Sequence, residues 1–106
     1  MPGEIEESWY HLTSFQRDLI HAIYAIGASD EDCYGLEIKR RLETMYRSEI
    51  NHGRLYPNLD DLCEMGYLEK SQLDKRTNEY RLTEDAKDAL TALDRHYDEL
   101  YGRSVG

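Results

Sequence analysis

Residues 51–82, NHGRLYPNLDDLCEMGYLEKSQLDKRTNEYRL, form the stretch that decides the predicted fold of this chain. Its first half reads as a helix ending at Gly66, because apolar residues recur at the spacing of one helix face, namely Leu55, Leu59, Leu62 and Cys63. Its second half reads as a hairpin that pairs residues 67–73 with residues 78–82 around the polar tip 74–77. The stretch therefore predicts a helix followed directly by a two-stranded ribbon.

Two further helices are predicted before this stretch. The first is capped by Thr13 or Ser14, and Gly27 is expected to end it as a C-terminal glycine. The second spans about residues 34–47 and turns its apolar positions inward, which are Tyr34, Ile38, Leu42 and Met45. A short turn then leads to Asn51, which is suited to cap the next helix, so the second and third helices form a helix-turn-helix.

A long last helix is predicted to begin after Thr83. Its apolar residues follow a near-heptad spacing through Ala86, Leu90, Leu93, Tyr97, Leu100 and Tyr101. Because the core of one small domain is too small to cover such a face, we interpret this helix as a dimerisation helix, with packing on the same subunit as the alternative. Trp9 and Tyr10 follow an acidic segment and are expected to pack on this core or on a partner. The predicted dimer interface is Trp9, Tyr10, Leu90, Leu93, Tyr97, Leu100 and Tyr101.

Together these elements predict a mainly α fold with a small β-hairpin wing, that is, a winged helix-turn-helix with a long C-terminal dimerisation helix. Residues 1–12 are predicted to form an acidic N-terminal extension and residues 13–83 the winged helix-turn-helix DNA-binding domain. Residues 84–106 are predicted to form the C-terminal dimerisation helix. A chain of 106 residues is long enough for one modest core and too short for two.

The net charge of −9 weighs against nucleic-acid binding if it is taken globally, but the charge is unevenly distributed. Residues 1–37 carry a net −7, whereas residues 38–58 carry +3 and residues 70–81 carry +2. The cations therefore concentrate on the elements expected to face DNA. Arginine outnumbers lysine nine to four, and an acidic, lysine-poor surface is typical of proteins from a cytoplasm at molar salt.

Several other classes of protein are disfavoured. No run of about 18 apolar residues predicts a membrane span, and the acidic N-terminus lacks the basic and apolar regions of a signal peptide, so a cytoplasmic location is expected. The glycines form no phosphate-binding loop, and the four histidines are scattered without metal-ligand spacing. We therefore predict no enzyme activity, no catalytic residues, no cofactor and no metal.

Three motifs carry a resemblance to a known family. Residues 34–38 read YGLEI, residues 55–62 read LYPNLDDL and residues 65–68 read MGYL. These motifs resemble the PadR-type winged-helix transcriptional regulators, and the likeness covers about residues 13–101. It implies a DNA-binding regulator of the shorter subgroup, which dimerises through one long C-terminal helix. The acidic, arginine-rich composition further indicates a haloarchaeal member adapted to high salt. The resemblance to oxidative-stress regulators of that group implies a response to oxidative stress.

The fold and the resemblance imply a homodimer on double-stranded DNA with a pseudo-palindromic operator, each third helix lying in a major groove. Arg54 is the predicted base reader, because a guanidinium can bond bidentately to guanine. Secondary candidates are Asn51, His52 and Asn58. Tyr56 has two equally good interpretations, a DNA contact and a core residue. Phosphate contacts are predicted for Lys39, Arg40 and Arg47, with a solvated helix face as the alternative. Contacts with the DNA backbone or the minor groove are predicted for the wing-tip residues Lys75, Arg76, Thr77 and Asn78.

The two cysteines are predicted to lie in different environments. Cys63 lies on the apolar stripe and is expected in the core, whereas Cys33 precedes a helix whose terminus would favour its thiolate. Cys33 is therefore the predicted redox candidate.

The alternative function is a protein-interaction module that uses the winged-helix fold without binding DNA. A gel shift on the chain's own promoter region distinguishes this module from a DNA-binding regulator.

Overall fold

The computed structural model describes residues 2–29 and 32–103. Its elements in chain order are α1 Pro2–Trp9, α2 Ser14–Ala28, α3 Gly35–Tyr46, α4 His52–Glu64, β1 Leu68–Gln72, β2 Asn78–Leu82 and α5 Glu84–Leu100. The predicted order of helices and hairpin is confirmed, and α1 is an additional helix within the segment predicted as an extension. Met1 and residues 104–106, which belong to the first and last predicted segments, lie outside the described residues.

Local capping sets the starts of three helices. Thr13 and Gln16 form a reciprocal capping box at the start of α2, and Thr83 accepts a hydrogen bond from the backbone of Ala86 at the start of α5. Asn51 caps α4 as predicted. The prediction that Gly27 ends the first helix is wrong, because Gly27 lies inside α2 and the helix is capped by Ser29.

The core lies where the helices meet the hairpin. Leu55, Leu59 and Leu62 of α4 are fully buried, which confirms the predicted apolar face, while Cys63 is only half-buried. Met45, predicted to point inward from α3, is exposed instead, and the next residue, Tyr46, is the one that packs against the core from the end of α3. Within the described residues, no helix is long and apolar enough to cross a membrane.

The hairpin follows α4 through a glycine with a left-handed backbone. Gly66 has φ +88°, a conformation that favours glycine, and the chain then turns into β1. β1 and β2 pair antiparallel in the register Leu68 with Leu82 through Gln72 with Asn78. The buried inner face of the hairpin packs on α2 and α4, and an ion pair between Lys70 Nζ and Asp60 Oδ1 of 3.2 Å joins β1 to α4.

The N-terminal helix covers the C-terminal helix within the same chain. α1 packs against α5, and both Trp9 and Leu93 are buried in the core. The hydroxyl of Tyr67, just before β1, donates to the carbonyl of Ile5 at 2.8 Å, and Arg17 Nε donates to the carbonyl of Trp9 at 3.2 Å.

This packing corrects the predicted dimer interface. Trp9 and Leu93 are core residues of one chain rather than residues awaiting a partner, because α1 supplies the cover that the sequence interpretation assigned to a second subunit. Leu90 and Tyr97 are half-buried beside this core. The exposed members of the predicted set are Tyr10, Leu100 and Tyr101.

Candidate nucleic-acid interface

The side chain of Glu43 holds the turn between α3 and α4. Its carboxylate accepts hydrogen bonds from Lys39 Nζ at 2.7 Å and from the backbone N–H of Ile50 at 3.0 Å. These donors lower the pKa of the Glu43 carboxyl, with Lys39 as the largest cause. Lys39, a predicted phosphate contact, is therefore half-buried in an ion pair that neutralises its charge within α3.

We expect the Glu43 contacts to make the stability of the protein sensitive to acid. Because the pKa is lowered in the folded state, the stabilisation is complete above the ordinary value of 4.5 and is lost as the pH falls through the folded pKa below it. The difference in unfolding free energy between wild type and Glu43→Gln, measured by urea unfolding, should shrink as the pH falls below about 4.5. A difference that stays constant down to pH 3 would contradict this role. Glu37→Gln, which breaks an exposed pair with Arg40, controls for loss of charge.

Arg40 and Arg47 of the helix-turn-helix remain exposed. Arg40 pairs with Glu37 at 3.3 Å on the surface, and such exposed pairs contribute little to stability, so the guanidinium is released at small cost. Arg47 follows α3 with a left-handed backbone, φ 56°, and its N–H donates to the carbonyl of Glu43. Both side chains can therefore reach a ligand without disturbing the core.

The start of α4 uses several predicted DNA contacts for packing. Asn51 Oδ1 accepts the N–H of Gly53 at 2.6 Å, so this side chain is a helix cap. The ring of His52 stacks on Tyr56 with centroids 5.6 Å apart. Tyr56 in turn lies against α3, because a Cβ at Gly35 would come within 2.6 Å of the Tyr56 hydroxyl oxygen. Of its two interpretations, the structure supports packing for the ring of Tyr56.

Arg54 is held against the first turn of α2. Its guanidinium carbon lies 3.9 Å from the ring centroid of Phe15, while the side chain remains exposed on its outer side. Asn58, on the next turn of α4, is half-buried. Asn58 Oδ1 accepts Gln16 Nε2 at 3.2 Å, and Asn58 Nδ2 donates to the carbonyl of Arg54 at 2.7 Å. Asn58 is therefore engaged within the chain, which weakens its interpretation as a base reader.

Phe15 and Gln16 are site residues that the sequence interpretation missed. The contact of Phe15 with a cation on another helix leaves no local pattern in the sequence. Gln16 had a detectable signal, since Thr13 followed three residues later by Gln16 is the spacing of a capping box. Its second role, toward Asn58, depends on how α2 and α4 pack.

The wing tip is a tight turn organised by Asp74. One carboxylate oxygen, Oδ1, accepts the backbone N–H groups of Arg76 and Thr77, each at 2.8 Å, and these donors lower the pKa of Asp74, with Arg76 the largest cause. Lys75 and Arg76 are exposed, whereas Thr77 and Asn78 are half-buried at the start of β2. Two of the four predicted wing residues are therefore exposed to solvent.

The structure corrects the predicted roles of the two cysteines. Cys33 is buried, with 6% of its surface exposed, and its backbone carbonyl accepts the N–H of Tyr80. Burial, and secondarily the charge of Glu79, raises the pKa of the Cys33 thiol to about 12. The expected activation by the helix terminus is wrong, because desolvation disfavours the thiolate. Cys63 is the more accessible thiol, although burial raises its pKa too.

We expect a thiol reagent at pH 8 to modify native Cys63 at least about tenfold faster than Cys33, because a buried thiol of high pKa offers almost no thiolate. Mass spectrometry of the folded protein measures this directly. Cys63→Ser should remove nearly all fast labelling, Cys33→Ser should leave it, and both variants should label equally once unfolded in urea. Fast labelling of Cys33 in the folded Cys63→Ser variant would contradict the burial argument.

Comparison with known proteins places this geometry among transcription factors. Residues 24–92 match the family described as transcriptional regulator PadR-like. RosR of Halobacterium salinarum, in a structure grown from NaBr, is 48% identical to this chain, covering 83% of it and 76% of RosR, with a TM-score of 0.69. A structure described as the complex hsRosR-S1 is 44% identical and covers 92% of this chain and 82% of that one, with a TM-score of 0.79.

A shorter similarity links the chain to a transcriptional activator. GvpE1 of Halobacterium salinarum is 36% identical over 66 residues, which make up 62% of this chain and 34% of GvpE1, so the match spans about a third of the activator. These findings confirm the predicted family, the likeness to haloarchaeal members and the winged-helix fold. They also confirm that the family acts in transcription and is not one of enzymes.

Proposed function

The chain belongs to the PadR-like family of transcriptional regulators, and from this we propose that it binds double-stranded DNA sequence-specifically as a homodimer adapted to high salt. The observation that carries the proposal is Arg54, which is exposed on the first turn of α4 in the second helix of the helix-turn-helix. That turn is the part of a recognition helix that meets base edges. In this proposal residues 13–83 contact DNA and residues 84–106 contribute to dimerisation.

Exposed apolar side chains support a partner subunit. Leu100 and Tyr101 are 63% and 74% exposed at the end of α5, and Tyr10 and Tyr24 are also more than half exposed. Large apolar side chains left exposed in this way are expected where a second subunit packs. In a homodimer a two-fold axis would relate the two copies of α4. The operator is therefore expected to be a pseudo-palindrome.

The test is a gel shift with a duplex carrying the chain's own promoter region, run in molar KCl against a scrambled duplex of equal composition. Sequence-specific regulation predicts a shift with the promoter duplex that the scrambled duplex does not compete away. The competing function, a protein-interaction module on the same fold, predicts no shift with either duplex at any salt concentration.

The wing is expected to supply charge rather than sequence readout. Lys75→Ala/Arg76→Ala should lower the affinity for promoter and scrambled duplexes alike and reduce the slope of log K against log salt by about two, because each lost phosphate contact removes about one from it. Fluorescence anisotropy between 0.5 and 2 M KCl measures the slope. Lys87→Ala/Arg95→Ala on α5 removes the same charge and should leave the slope unchanged. Loss of the promoter's preference alone would overturn this role.

The oxidative-stress response implied by the family resemblance stays a prediction. The surroundings of the two cysteines disfavour their direct oxidation, because Cys33 is buried and burial raises the pKa of both thiols. Thiolates react with peroxide far faster than thiols, so neither cysteine has the environment of a peroxide sensor. We propose that any such response reaches this protein through a signal other than direct oxidation of Cys33.

A further inference from the structure

We propose that Phe15 and Gln16, on the first turn of α2, are positioning residues for DNA recognition that fix the conformation in which α4 presents Arg54. The inference rests on the proposed function, since it assigns these residues a role in DNA reading. It extends the DNA-reading machinery from α4 to a helix that need not touch DNA.

The first turn of α4 needs external support. Gly53 lies in it and Pro57 follows one turn later, and proline has no N–H to donate to the Gly53 carbonyl. The turn therefore combines a flexible residue with a missing hydrogen bond. A side chain projecting from such a turn is poorly fixed by the helix alone, yet a bidentate contact with guanine requires a fixed direction.

Phe15 supplies a surface for the guanidinium. The Arg54 carbon Cζ lies 3.9 Å from the centroid of the Phe15 ring, a distance typical of a cation–π contact. The ring is itself fixed, because Tyr46 packs edge-on against it at 6.1 Å and the Tyr46 hydroxyl donates to Asp18 at 2.5 Å. One face of the guanidinium is thereby held while its N–H groups at the rim stay available, as recognition of a base edge requires.

Gln16 fixes the backbone beneath Arg54. Its Oε1 accepts the backbone N–H of Thr13 at 3.1 Å and its Nε2 donates to Asn58 Oδ1, so both ends of this buried amide are engaged. The orientation imposed on Asn58 points Nδ2 at the carbonyl of Arg54. A buried amide whose oxygen and nitrogen both have partners favours one geometry, whereas an apolar residue of the same size would tolerate several.

A double-mutant cycle in DNA binding tests the assignment. Phe15→Leu keeps an apolar side chain but removes the ring, and we expect it to weaken binding of the promoter duplex about three- to tenfold, the range of a cation–π contact converted to affinity. In an Arg54→Ala background the same substitution should have no further effect. Ile20→Val, a loosening of the core elsewhere on α2, should lower the melting temperature without changing affinity in either background.

The second variant keeps the cap and reverses the hydrogen bond. Gln16→Glu retains an acceptor for Thr13 but removes the donor to Asn58, so Asn58 should turn its amide and release the Arg54 carbonyl. We expect weaker promoter binding and an unchanged affinity for scrambled duplex. In the free protein, NMR of the Arg54 Nε–H should show an upfield ring-current shift that Phe15→Leu abolishes.

The possible outcomes distinguish a failure of the positioning role from a failure of the proposed DNA-binding function. Binding by the wild type, with equal losses from Phe15→Leu in both backgrounds, would overturn the positioning role and leave the proposed function intact. Arg54→Ala that binds like the wild type would overturn Arg54 as reader, and the positioning role with it. Absence of any promoter shift by the wild type would overturn the proposed function itself.

Discussion

Arg54→Glu is expected to weaken binding of the promoter duplex by at least about 100-fold, because it removes a base contact of about 1–3 kcal/mol and places a carboxylate against the bases and phosphates. The side chain is exposed on the first turn of α4 and its guanidinium rests on Phe15, so its loss from the surface leaves the buried leucines of α4 in place. The folded structure should therefore persist, as circular dichroism would show.

Measuring at high salt distinguishes a direct contact by Arg54 from a general effect of charge. At 1 M the Debye length is about 3 Å, so a charge that does not touch the duplex has almost no influence on it. Arg95→Glu on α5 changes the net charge of the protein by the same amount and should leave affinity unchanged at molar salt. Anisotropy titrations of both variants in 2 M KCl give the comparison. Equal losses in the two variants would mean that general electrostatics, and not a contact by Arg54, governs binding.

The proposed adaptation to high salt would reconcile DNA binding with a net charge of −9. Counterion release supplies much of the affinity of basic regulators, and this contribution falls as salt concentration rises. A regulator working at molar salt must gain its affinity from direct contacts, groove shape and bridging water. Only side chains that touch the duplex then contribute to affinity. A clamped Arg54 and an exposed wing tip suit this regime better than a broadly basic surface.

Local sequence signals predicted most of the architecture. The helical spacing of Leu55, Leu59 and Leu62 and the caps at Asn51 and Thr83 depend on neighbours a few residues away, and all were confirmed. The hairpin was predicted for the same reason, although its first strand is shorter than residues 67–73. Arg54 and the cations of the wing could be predicted as DNA contacts because their charges fall on these elements.

The errors concern residues whose surroundings come from distant parts of the chain. The acidic N-terminal segment gave no reason to expect that α1 would cover α5, so Trp9 and Leu93 were placed in the predicted dimer interface, with packing on the same chain only as the alternative. Cys33 reads as a loop residue before a helix, but its backbone pairs with Tyr80 of β2 and its thiol lies in the core. The contact between Phe15 and Arg54 joins positions 39 residues apart and has no periodic signature.

The placement of Trp9 leads to the largest expected effect on stability. Its indole is 3% exposed, its edge meets His21 with ring centroids 5.5 Å apart, and the guanidinium of Arg17 lies 5.6 Å from its centroid. Truncating a buried aromatic residue to alanine costs about 3–5 kcal/mol, a large fraction of the 5–15 kcal/mol that stabilises a typical domain. We therefore expect Trp9→Ala to lower the urea midpoint severely or to prevent folding.

A nearby exposed residue outside the predicted interface provides the control, because His11→Ala should change the free energy of unfolding by less than about 0.5 kcal/mol. Trp9→Phe should be much milder than Trp9→Ala, since within the described residues no group accepts the indole N–H and the ring would still fill most of the site. Unfolding at several protein concentrations distinguishes core from interface. A core residue lowers stability by the same amount at every concentration, whereas a Trp9 that packs on a partner would instead raise the dissociation constant and leave a stable monomer.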